Sequence, residues 1–129
     1  MKYLIFLLLF SANLFASQLK IEPSANEWLT LIDKGEYATS WQGTSERFQK
    51  LVNEKQWQTA LEQVRFPLGK LINRTLVEVT EHTKLPGMPD GRYKVFQFNT
   101  QYENKSQSIE TLSMVFIDSN WQTIGYFIK

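Results

Sequence analysis

The chain has no cysteine and only one histidine. The first absence removes disulfides, thiolate metal centres and cysteine nucleophiles together. The second leaves His82 as the sole imidazole for a serine triad or a zinc site. No serine stands in a Gly-x-Ser-x-Gly elbow, and "WQGTSE" lies in a helical pattern where no such turn is expected. The glycines of "PGMPDG" lead into a strand-like run, whereas a phosphate loop needs a helix N-terminus after it. Neither sign of charge dominates: 14 Lys and Arg face 13 Asp and Glu, for a formal net charge of +1. A nucleic-acid binder needs a basic field, so none is expected as a partner. His82 shares a strand face with Glu78 and Thr80. Ligands from other strands would have to complete any metal site there, so an exposed strand histidine is the expectation, and no metal or cofactor is expected.

What is present begins with "MKYLIFLLLFSANLFASQLK". Lys2 is a minimal positive segment, Tyr3 to Phe10 are apolar or aromatic, and Ala16 precedes Ser17. The apolar stretch is shorter than the roughly 20 residues that span a bilayer. Residues 1–16 therefore read as a secretory signal peptide cleaved after Ala16, which places the mature protein in the periplasm or outside the cell. No transmembrane segment is expected after cleavage, and no cysteine offers a site for a lipid anchor. Residues 17–129 have the length of one domain. Without disulfides that domain must rest on packing, for which 4 Trp, 9 Phe and 5 Tyr are available.

Helical spacing runs from "PSANEWLTLIDKGEYATSW" into "QGTSERFQKLV". Trp28, Leu31 and Ile32 form one patch, and Ala38, Trp41, Phe48, Leu51 and Val52 continue it. Ser24 with Glu27 has the form of a capping box, and Gly35 predicts a break near "DKGEY". A further helix covers "EKQWQTALEQVRF", with Trp57, Ala60, Leu61 and Val64 on one face, and Pro67 and Gly69 end it. Four strand-like segments follow. Val77, Val79 and Leu85 share a face in the first, as do Phe96, Phe98 and Tyr102 in the second. The third sets Leu112, Met114 and Phe116 against Ile109, Val115 and Ile117. The fourth sets Trp121 and Phe127 against Ile124, Tyr126 and Ile128.

"KLPGMPDGRY" (84–93) reads as the corner between the first two strands. Proline halts a ladder, and the glycines and "PDG" favour turns. The alternative is a lip over the sheet's open end. Three strands carry apolar side chains on both faces. Helices cover one face, so the other must be closed by curvature, a partner or a ligand.

Among candidate site residues, Glu110 shares a face with Leu112, Met114 and Phe116. It is the one carboxylate placed to act as a general base in an apolar concavity, where burial raises a pKa. The structural alternative, which is favoured, pairs it with an arginine. Arg65 and Arg74 can supply that partner, or clamp an anionic ligand. The tryptophans sit mostly on apolar stripes and are expected in the core. Tyr37, Trp41 and Tyr126 can each present a polar tip to a cavity.

The segments "EWLTLIDKGEYATSW", "KQWQTALEQVRFPLGKLINRTL", "LPGMPDGRYKVFQFNT", "IETLSMVF" and "NWQTIGYFIK", in that order, make the chain resemble a bacterial exported family, domain of unknown function 4019. Arg65 and Arg74 fall on that family's R-x-P-L-G…R pattern. The resemblance implies no activity. Helices followed by a curved antiparallel sheet also look like the cystatin-like and nuclear-transport-factor-like architectures, an analogy of fold alone. The expectation is an α+β domain with N-terminal helices packed on a curved four-stranded antiparallel sheet. Its expected function is that of an exported envelope module, non-catalytic, binding a small apolar or amphipathic ligand or a protein partner on the second sheet face. Ligand-binding candidates are Tyr37, Trp41, Arg65, Arg74 and Tyr126. The alternatives are an isomerase- or cyclase-like enzyme using Glu110, and a structural homodimer.

Overall fold

The computed structural model describes residues 19–129; the expected signal peptide lies outside the described residues. Four helices come first: α1 (Pro23–Asp33), α2 (Tyr37–Gln42), α3 (Glu46–Leu51) and α4 (Glu54–Arg65). A 3-10 turn, Phe66–Leu68, then leads into β1 (Leu71–His82), β2 (Tyr93–Tyr102), β3 (Lys105–Ile117) and β4 (Asn120–Ile128). The strands form one antiparallel sheet in the order β1-β2-β3-β4. This is an α+β fold, with the helices preceding the sheet and packing on one face of it. Among the described residues, no helix is long and apolar enough to cross a membrane.

Helix α1 starts one residue before the capping box that the sequence suggests. Pro23 opens it, where a missing N–H costs nothing, and Ser24 and Glu27 form no cap. The break at Gly35 is real: its φ of 75° is one that side chains with a Cβ rarely adopt. A second break, at Gly43–Ser45, corrects the expected continuous helix through "WQGTSE". The reasons are tertiary. A Cβ on Gly43 would stand 3.1 Å from the Trp28 ring. The segment also pairs with edge strand β4, Ser45 N–H donating to the Thr123 carbonyl (2.9 Å) and Thr123 N–H to the Gly43 carbonyl (3.1 Å). Ser45 then caps α3 through Phe48 N–H. The capping box falls instead at α4, where Asn53 and Gln56 exchange side-chain and backbone bonds of 2.8 and 3.0 Å.

On α4 the buried stripe is Trp57, Leu61 and Arg65, four residues apart, whereas Ala60 and Val64 are exposed. The polar look of Arg65 disguises its place on the core face. In the centre of the helical layer Ser40 receives two indoles: Trp28 Nε1–H donates to its carbonyl and Trp57 Nε1–H to its hydroxyl, both at 2.9 Å. Phe48 meets Trp57 edge-on, with ring centroids 5.4 Å apart.

Two strand bulges set which side chains reach that layer. Leu76 pairs with Phe98 and Glu78 with Gln97, so Val77 is the extra residue. Leu76 and Val79 pack on the core while Val77 faces out, correcting the expected Val77–Val79 pairing. Likewise Ser113 pairs with Gly125 and Met114 with Thr123, skipping Ile124. Trp121 and Tyr126 thereby share the core face, not opposite faces as simple alternation implies. Phe96, Phe98, Leu112 and Met114 lie where expected, buried against α1 and α4. The β3–β4 hairpin turns on Asp118 and Ser119, both at positive φ, the backbone of a type I′ turn.

Residues 83–92 between β1 and β2 fold back over the outer sheet face. Gly91 N–H bonds to the Thr83 carbonyl (3.0 Å), and Tyr93 donates its hydroxyl to the Pro89 carbonyl. The outward-facing pair Tyr93 and Val115 is consequently only 1% and 5% exposed. The chain itself closes part of its second apolar face.

Replacing Ser40 by Ala leaves the buried Trp57 N–H without an acceptor. The expected loss is about 1–3 kcal/mol in chemical denaturation. Trp57→Phe in that background should recover part of it, because the orphaned donor is then gone.

Candidate functional site

Five of the six residues singled out from sequence come to one place, where the C-terminal ends of α1 and α4 meet the inner sheet face. Asp33 is the last residue of α1 and Arg65 the last of α4. Arg74 projects from β1 and Glu110 from β3. Arg74 is the centre. Its Nε and Nη2 grip Glu110 Oε1 and Oε2 at 2.7 and 3.1 Å. Its Nη1 and Nη2 also reach Asp33 Oδ2 and Oδ1, at 2.8 and 2.9 Å. Arg65 Nη1 binds the same Asp33 Oδ1 at 3.1 Å, and its guanidinium lies 4.8 Å from the Tyr102 ring centroid. Two guanidiniums and two carboxylates make a charge-balanced quartet, with Arg65 and Glu110 buried and Arg74 and Asp33 partly so.

Glu110 is 0% exposed. Besides Arg74, Thr100 donates to its Oε1 and Tyr126 to its Oε2. Four donors occupy the lone-pair sites of one carboxylate. Burial pushes its pKa up, but the hydrogen bonds and charge of Arg74, with the Thr100 and Tyr126 bonds, outweigh burial and hold it below the usual carboxylate range. For Arg74 burial acts downward, and the bonds to Asp33 and Glu110 overcome it, so the guanidinium stays charged. Burial first, then the Glu110 charge, pushes Tyr126 well above the ordinary phenol value, so its hydroxyl keeps its proton and donates it. Burial likewise raises Tyr102 and Tyr37. A general base needs a free lone pair and a pKa near the working pH. Glu110 has neither.

A cleft of about 810 Å³ opens beside the quartet, lined by Asp33, Tyr37, Arg65 and Lys70, with Phe66 on its rim and 89% exposed. Tyr37 and Arg65 thus face this cleft, while Arg74, Glu110 and Tyr126 lie in the network. Trp41 stands apart, its Nε1–H bound to the Val52 carbonyl at 2.8 Å, where it ties α2 to the end of α3. Sequence reasoning missed Asp33, although its place four residues after the buried Leu29 puts it on the core stripe.

The opposite sheet face carries a slot of about 520 Å³. Its floor is Tyr93, Val115, Ile117 and Ile124; α3 forms one wall, and Met88 and Pro89 of the β1–β2 loop form the other. Arg47 of α3 donates to the Gly87 carbonyl across it at 3.0 Å. Nothing local in the sequence joins Arg47 to Gly87. The far half of this face is a more polar groove of about 630 Å³ lined by Asn73, Thr75, Asn99, Gln101 and Gln107, with Phe127 exposed. His82 Nε2 meets Thr80 Oγ1 at 2.8 Å. Among the described residues, no three His, Asp or Glu side chains gather as metal ligands.

A family model described as protein of unknown function (DUF4019) matches residues 24–126. The chain belongs to that family. The span that defines DUF4019 here includes Asp33, Arg65, Arg74, Thr100, Glu110 and Tyr126, the whole of the charged network, and both walls of the slot. No curated protein and no solved structure matches the chain. The DUF4019 description carries no activity, so the chemistry must be read from this chain's own geometry.

Two outcomes test the network. Arg74→Met strands the buried Glu110 carboxylate without a cation, while Asp33 keeps Arg65, and should cost about 3–5 kcal/mol in urea unfolding. Glu110 is held below its ordinary value of 4.5, so its contribution to stability is complete above that pH and is lost as pH falls through and below it. Glu110→Gln should therefore flatten the fall of stability between about pH 5 and 3. Equal slopes in the two proteins would mean that Glu110 is not held ionised.

Proposed function

We propose that this DUF4019 protein is an exported, non-catalytic binding module of the cell envelope, and that it takes a small amphipathic ligand on the outer face of its sheet. The slot between α3 and the β1–β2 loop is the observation that carries this reading. It combines an apolar floor, a wall at each side and a volume within the roughly 300–1,000 Å³ of ordinary small-molecule sites. The cleft beside the quartet is larger, but its one lining arginine, Arg65, is already committed to Asp33. Saturation of Glu110 also weighs against the isomerase- or cyclase-like alternative, which needs that carboxylate as its base.

Export rests on the pattern of residues 1–16. The mature protein recovered from its host should begin at Ser17 on N-terminal sequencing, and a chain that still begins at Met1 would refute cleavage. Native mass spectrometry of the gently extracted protein should show an added mass of a few hundred daltons. Removing that ligand should shift the amide resonances of Tyr93 and Val115 and leave Tyr37 and Phe66 in place. Repeated recovery of bare protein, or shifts confined to Tyr37 and Phe66, would contradict the reading.

A further inference from the structure

The rim charges of the slot are unequal in what they have left to offer. Glu46 and Lys50 pair with each other along α3 at 3.3 Å. Asp118 stands at the β3–β4 turn, where backbone geometry rather than an ion pair sets its place. Arg47, among the described residues, makes no ion pair. Its one hydrogen bond goes to the Gly87 carbonyl, a neutral acceptor. A guanidinium binds a carboxylate through two parallel charge-assisted bonds, each stronger than a bond to a carbonyl. A ligand carboxylate at this point would therefore win Arg47 from Gly87.

The loop is built to release that contact. Gly87 sits at φ 74°, and a Cβ placed there would meet nothing within 4 Å, so Gly87 borders open space on that side. The base of the loop is held separately, by Gly91 N–H to Thr83 and by Tyr93 to Pro89. Exchange of the Gly87 contact would leave these base contacts in place. Met88, next to the contact, has the unbranched and polarizable side chain that adapts to a variable apolar occupant.

We propose that the slot binds a single-chain carboxylate, its aliphatic chain on the Val115, Ile117 and Ile124 floor beneath Met88, and its carboxylate on Arg47 in place of the Gly87 carbonyl. This rests on the outer-face binding reading and adds to it the chemical class of the head group. Arg47 is the residue that determines specificity, and the β1–β2 loop is a strap that the ligand unfastens.

The test compares dodecanoate with dodecanol, which share a chain and differ in the head group, each kept below its aggregation limit. Calorimetry and amide-shift mapping are done on the protein, on Arg47→Ala and on Ile117→Asp. Arg47 and Ile117 are exposed, so both variants should keep the native fold, checked by circular dichroism. Dodecanoate should bind more tightly than dodecanol and shift Gly87, Met88 and Tyr93. Arg47→Ala should weaken dodecanoate at least tenfold and leave dodecanol unchanged, and Ile117→Asp should weaken both. Equal binding of the two probes, unaffected by Arg47→Ala, would overturn the carboxylate while leaving the slot as a binding site. Failure of both probes to shift Tyr93 or Val115 would overturn the binding reading with it.

Discussion

Arg74 holds the two layers of this protein together. One guanidinium joins the last residue of α1 to a carboxylate on β3, and through Asp33 it reaches the end of α4 as well. Thr100 and Tyr126 bring β2 and β4 into the same network. A charge taken from water is tolerated only with a partner, and each of these charges has one. The geometry that satisfies the arginine is thus the geometry that orients helices on sheet. It also decides the chemistry of Glu110. A carboxylate in an apolar interior is raised toward neutrality unless something prevents it; here a forked cation and two hydroxyl donors do so.

The inner face is consequently spent on structure, and the outer face is what remains. It is not uniform. At one end the β1–β2 loop lies over Tyr93 and Val115 and meets α3, so a helix that follows the edge of the sheet and a loop that doubles back enclose an apolar slot. At the other end the side chains are amides and hydroxyls with Ile109 and Phe127 between them, open to solvent. The prolines and glycines of "KLPGMPDGRY" serve both as a corner between strands and as a wall. The turn signals explain the first role, and only the position of α3 explains the second.

Much of this was legible from residue order. The α+β class, the four strands, the break at Gly35 and an arginine partner for Glu110 all follow from local pattern. The strand faces escaped through one residue of register. The bulges at Val77 and Ile124 reverse the side-chain parity beyond them; in "TLVEV" Leu76 and Val77 are apolar alike, so nothing marks the extra residue, and in "QTIGY" Gly125 is the one local sign. The Gly43 break escaped because its causes, the Trp28 ring and the Thr123 backbone, are distant in sequence. Arg65 and Asp33 were hard to place because a charged residue on a helix is expected to face water. Their spacing from Leu61 and Leu29 pointed inward all the same. Arg47 gave no signal, for its partner is forty residues away.

The central claim is that Glu110 is a structural anion and not a proton carrier. A carbon-13 NMR titration of its side-chain carboxyl addresses that directly. The account predicts an ionised carboxylate from pH 8 down to the onset of acid unfolding, with no titration step between. A carboxyl that takes up a proton near neutral pH in the folded protein would contradict it, and would return Glu110 to the role of a base.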